Sequence, residues 1–220
     1  MHYLSTGKFM SRTARHIILF LASAATCALF YSGLQSDRLV YTVSMASAYG
    51  SLVLLALSLM IGPWNKLRGR PNPISGYLRR DIGIWAGILG IVHVAAGLQV
   101  HMGKIALYFL PPGVATFPFP ISIGQWMPFG LTNYAGLGAT LILLLLLSLS
   151  NDVSLRTLGA CRWKSLQRWN YAGALLVIAH GVAYQVIEKR TITFVEAFAA
   201  IVLVASAMQF AGYRVGKKKT

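Results

Sequence analysis

LRRDIGIWAGILGIVHVAAGLQVH, residues 78–101, is the stretch that decides the fold class. Behind its arginine pair, the twenty residues from Ile82 to His101 hold no Lys, Arg, Asp or Glu. At 1.5 Å of rise per residue such a run covers about 30 Å, the thickness of the hydrocarbon core of a bilayer. Working outward in both directions, apolar runs of similar length recur, and the chain reads as six spans at about 17–35, 45–63, 82–101, 131–150, 169–187 and 192–213. The expected fold is all-α: one polytopic transmembrane domain over residues 1–220, a six-transmembrane-helix bundle. Composition agrees, because 56% of the 220 residues are hydrophobic and 11% charged, whereas a soluble domain carries roughly a quarter charged residues.

Twenty Lys+Arg against five Asp+Glu give a formal charge of +15. On a polar domain that balance would point to nucleic acid. Here the basic residues sit in short clusters between apolar runs, so no nucleic-acid partner is expected. With the N-terminus assigned to the cytoplasm, sixteen basic residues fall inside and four outside. The inner set is Lys8, Arg12 and Arg15, then Lys66, Arg68, Arg70, Arg79 and Arg80, then Arg156, Arg162, Lys164 and Arg168, then Arg214 and Lys217 to Lys219; the outer set is Arg38, Lys104, Lys189 and Arg190. Such a bias orients a membrane protein with both termini cytoplasmic, in a cell membrane of the bacterial inner-membrane kind, and anionic lipid is a sufficient partner for the charge. The basic start followed by an apolar stretch from Ile17 to about Leu34 looks like a secretory signal. It offers no convincing small-residue cleavage site and reads as a retained first span.

Pro63 is expected to close the second span. Residues 104–130 carry five prolines and six aromatics, Tyr108, Phe109, Phe117, Phe119, Trp126 and Phe129. The prolines exclude a continuous spanning helix and predict a loop or short re-entrant piece at the interface. It serves as an interfacial anchor, or it covers a cofactor edge or docks a partner; both readings stand. Cys27 lies in the first span and Cys161 in a basic loop, so no disulfide is expected, and no Cys pair has metal spacing.

Ionisable residues at bilayer depth are functional candidates by default. Those within the spans are His93, His180 and Glu196, with His101 at the outer end of the third span. The third and fifth spans run in the same direction. His93 lies 13 residues after Arg80 and His180 lies 12 after Arg168, which puts both imidazoles about 18–20 Å from the basic edge, at one level. Small residues flank them, with Ala86, Gly90 and Gly97 on the face of His93 and Gly173 on that of His180. Two neutral imidazoles facing each other across a bundle are what a low-spin haem iron requires, and the small residues leave room for a flat ring. The competing reading is plain: each histidine hydrogen-bonds a neighbouring helix, and the small residues serve helix packing. His101 reads as interfacial, like His16. Glu196 reads as a snorkelling carboxylate paired with Lys189 and Arg190, against a proton-relay role.

With RWKSLQRWNYAGALLVIAHGVAY, residues 162–184, the quoted third span resembles the ferric reductase-like transmembrane domain family. That family takes in the haem-bearing membrane subunit of the bacterial methionine-sulfoxide reductase system, ferric reductases and NADPH oxidases. The resemblance runs over about residues 49–214 and rests on the double-Arg entry to the third span and the basic-aromatic entry to the fifth. It implies that His93 and His180 are the axial ligands of a haem iron. Where the family has a further histidine at the entry to the fifth span, this chain has Gln167, and the matching level on the third span falls at Arg79 or Arg80. Neither is a usual haem ligand, so one haem b per chain is expected.

The leading functional reading is a membrane b-type cytochrome passing electrons through one bis-histidine haem in the outer half of the bilayer to an outside or partner acceptor. It would be an electron-transfer component of an oxidoreductase rather than a complete enzyme. Electrons would come from a quinol at lipid depth, with Arg79, Arg80 and Gln167 as head-group contacts, or from a redox partner protein. The alternative is a non-catalytic structural subunit of a larger membrane redox or photosynthetic complex. A transporter is disfavoured, because charges that could line a path are nearly lacking and no repeated half is visible.

Overall fold

The structure is a computed structural model that describes residues 11–34, 36–70, 77–100, 104–118 and 120–217. Its elements are all helical: α1 (Arg12–Ser32), α2 (Leu39–Leu67), α3 (Tyr77–Gly97), α4 (Ala106–Phe109), α5 (Ile123–Leu149), α6 (Asp152–Gln167), α7 (Trp169–Ile187) and α8 (Ile192–Lys217). α1, α2, α3, α5, the consecutive α6–α7 pair and α8 supply six lengths long and apolar enough to cross a membrane. The protein is therefore a multi-pass, all-α membrane bundle. Its outer faces carry large exposed aliphatic side chains, Leu29, Leu175 and Leu203 among them, as helices bathed in lipid require.

Several boundaries move, each for a local reason. α1 begins at Arg12 because the Ser11 hydroxyl caps it, accepting from the Ala14 N–H at 3.1 Å. Arg12, Arg15 and His16 consequently ride on the helix instead of preceding it. α2 does not stop at Pro63 but continues to Leu67. Proline removes the N–H that would reach the Leu59 carbonyl, and Gln209 Nε2 of α8 donates to that carbonyl at 2.7 Å. Gly212 permits the approach, since a Cβ there would lie 2.6 Å from Pro63 Cβ. α5 takes residues 123–130 from the proline-rich loop, started by a capping box between Ser122 and Gln125. α6, in the stretch read as a basic loop, is capped by Asn151 and kinked at Gly159, whose φ of +73° suits glycine. Its Trp163 folds back and donates to the Leu149 carbonyl at 2.8 Å.

α2 is the central helix and packs against α1, α3 and α8, while α5 packs mainly on α7. Two buried clusters hold the first group together. Met45, Tyr49 and Leu52 of α2 meet Phe194 and Phe198 of α8, and Leu54 of α2 meets Leu19 of α1 with Ile82 and Ala86 of α3. Between the α2–α3 and α5–α7 pairs the bundle stays open.

Candidate cofactor site

That opening is a cavity of about 1130 Å³, above the roughly 300–1,000 Å³ of most small-molecule sites. His93 and His180 line its middle. Lys66, Arg79, Arg80, Lys164, Gln167 and Arg168 line one end, called here the basic end. Tyr41, Tyr108, Phe109, Tyr184 and Arg190 line the other, the aromatic end.

α3 and α7 bring the two imidazoles together, with ring centroids 6.2 Å apart and ring planes at 76°. The Nδ1 atom of His93 lies 2.9 Å from the Ser44 carbonyl oxygen and 3.1 Å from the Ser44 hydroxyl. That of His180 lies 2.9 Å from the Thr132 carbonyl oxygen. A carbonyl can only accept, so Nδ1 is the protonated nitrogen in both rings and Nε2 keeps its lone pair. Gly136 makes the second contact possible: a Cβ there would stand 2.7 Å from His180 Nδ1, so only glycine lets the ring lie against α5 and reach Thr132 one turn away. Gly97 does similar service near His93, where a Cβ would meet Ser44 Oγ at 3.3 Å. Gly90 and Gly173 instead face Leu143 and Ile142 of α5, as packing positions do.

The pair can be tested against the group that the sequence suggests. Among the described residues no cluster of three or more His, Cys, Asp or Glu could hold a metal ion. A metal that suits two imidazoles alone is one that brings its remaining ligands with it, as porphyrin iron does with its four ring nitrogens. Two imidazoles in trans on one metal stand about 6 Å apart between centroids, from two bonds of about 2 Å and two ring half-widths of about 1 Å. The 6.2 Å spacing matches. An edge-to-face aromatic pair would also span such a distance. The two backbone hydrogen bonds suit ligation, since with Nδ1 protonated in both rings the Nε2 lone pairs are the ones left in the cavity. The residues fit a bis-histidine haem.

Arg79, Arg80 and Gln167 all reach the same cavity, at its basic end. Arg80 Nη1 donates to Asp152 Oδ1 at 2.6 Å. Its Nε and Nη2, and Gln167 Nε2, are buried with no hydrogen-bond partner. Glu196 differs from expectation: it is exposed and belongs to none of the ion pairs of the described residues. Arg190 donates to the Tyr41 hydroxyl. His16 accepts from Trp85 Nε1 at 3.3 Å and sits 3.6 Å from Asp81. His101 lies outside the described residues, as does Phe119 of the proline-rich loop. The rest of that loop closes the aromatic end. Tyr108 is buried, its hydroxyl donating to the Gly97 carbonyl at 3.0 Å, and Trp126 and Tyr134 donate to the carbonyls of Leu107 and Phe109.

Sequence reasoning passed over Asp81 and Gly136. Asp81 is fully buried and accepts from Arg15 Nε at 3.0 Å, which ties α1 to α3. Its signal was present as an acid directly behind two arginines at the head of an apolar run. Compared with protein-family models, the chain matches none.

Proposed function

We propose that this protein is a membrane b-type cytochrome that carries electrons through one haem b per chain, held between His93 and His180. The observation that carries the reading is the pair of imidazoles 6.2 Å apart, each with Nδ1 on a backbone carbonyl. The Ser44 and Thr132 carbonyls fix ring orientation and tautomer and raise the basicity of the ligating nitrogen, as outer partners of metal-bound histidines do. Gly136 keeps the ring position of His180 open. Tyr108 and the loop around it exclude water at the aromatic end. Bound there, the haem iron supplies a one-electron redox couple at bilayer depth.

On this reading the chain is a ferric reductase-like membrane subunit, with both termini in the cytoplasm and its acceptor outside or on a partner protein. It takes electrons from a quinol or a redox partner and works as a component of an oxidoreductase, surrounded by anionic lipid at its basic end. The test is the absorbance of purified His93→Ala and His180→Ala proteins. Each should lose the reduced α-band while remaining in the membrane. Full haem retained in either variant would refute the assignment.

A further inference from the structure

We propose that the basic end of the cavity binds a phosphate group, as a second ligand distinct from anything held at the histidines. Arg80 carries the argument. Its side chain is only 9% exposed. One nitrogen, Nη1, is satisfied by Asp152 and the guanidinium lies over the Tyr77 ring at 5.0 Å, but Nε and Nη2 have no hydrogen-bond partner. Those two atoms form one edge of the guanidinium, the parallel fork that grips two oxygens of a single anion. Gln167 Nε2, a further buried donor of the same cavity, is also without a partner. Buried donors left unmet are costly, and three in one chamber specify what completes it: an acceptor with several oxygens.

Charge narrows the choice. Lys66, Arg79, Lys164 and Arg168 line the same end, and no Asp or Glu lines the cavity among the described residues. A neutral quinone offers isolated carbonyl oxygens and adds no negative charge to that of Asp152. A phosphate offers oxygens for the fork, an oxygen for Gln167 and negative charge for the surrounding cations. Distance separates this site from the histidines. Arg80 precedes His93 by 13 residues of one helix, about 20 Å of rise between their backbone positions. Between the two levels Leu55, Leu143, Leu146 and Leu147 line the walls, and the Ser51, Ser58 and Thr140 hydroxyls there already donate to backbone carbonyls. An amphiphile fits: a phosphate at the fork and an apolar body along the leucines.

The experiment is thermal unfolding of the purified full-length chain in neutral detergent. The probes are inorganic phosphate, dihexanoyl phosphatidic acid and ubiquinone-1, each against chloride at equal ionic strength. A saturable rise in Tm with phosphatidic acid is expected. If inorganic phosphate gives it as well, the group alone suffices and a soluble phosphoester is the ligand class; if phosphatidic acid alone does, the source is lipid. Gln167→Leu, which breaks no existing contact of Nε2, should raise the half-saturating concentration about tenfold. Arg80→Lys keeps a charge for Asp152 but loses the fork, and should do the same or more. No phosphate probe acting beyond chloride, an undiminished effect in both variants, or stabilisation by ubiquinone-1 alone would overturn the proposal. His93→Ala protein should keep the phosphate response, so this result and the haem assignment fail or stand separately.

Discussion

The middle and the basic end of the cavity handle polar groups in opposite ways. At the middle, backbone carbonyls of Ser44 and Thr132 satisfy the inner nitrogen of each imidazole, and what remains open is a pair of lone pairs. At the basic end, Asp152 satisfies one guanidinium nitrogen of Arg80, and what remains open is a set of donors. One region waits for an electron-pair acceptor and the other for an electron-pair donor. A single ligand cannot meet both demands from one point, and the contrast marks the two levels of the bundle as separate sites.

The sharpest way to break that contrast is at Gly136. Gly136→Val places branched carbon where His180 Nδ1 now sits, displacing the ring from Thr132. Haem content should fall at least about tenfold, since outer-partner losses cost roughly 10–100-fold in metal affinity. Arg80→Lys, at the other level, should leave haem content unchanged. Pyridine haemochrome assays on both proteins read the difference.

Next in size is Asp81→Asn. It removes the carboxylate that holds Arg15 in a buried pair. Breaking a fully buried pair costs about 3–5 kcal/mol, and because the Arg15 side chain keeps 15% exposure the expected loss is smaller, about 2 kcal/mol. Unfolding in mixed micelles measures it. Haem ligation should survive, because Asp81 closes the α1–α3 contact and does not line the cavity. Gln209→Leu strands the Leu59 carbonyl beside Pro63 and should cost about 1–2 kcal/mol by the same assay. The smallest effect belongs to Glu196→Gln, expected within about 0.5 kcal/mol of the parent because the side chain is exposed and in no ion pair of the described residues. A large effect there would restore the pairing with the α7–α8 turn that the structure lacks.

Much of this was legible in the residues alone. Apolar length is a local property, so the six spans could be counted, and equal spacing from basic edges put His93 and His180 at one level. What escaped depends on neighbours distant in sequence. Pro63 reads as a stop because its rescuer, Gln209, is on another helix. Gly136 reads as one more small residue because its meaning is the ring of His180 pressed against it. Asp81 hides beside two arginines, while its partner Arg15 stands 66 positions away. α6 was missed because hydropathy marks long apolar runs, and a capped helix of mixed polarity gives no such signal.

The central claim is that His93 and His180 hold one haem b, and haem per polypeptide is the measurement that meets it most directly. Purified full-length protein, assayed by pyridine haemochrome together with oxidised and dithionite-reduced spectra, should give one haem b per chain with a reduced α-band. Protein that folds and carries no haem, or carries two per chain, would contradict the account.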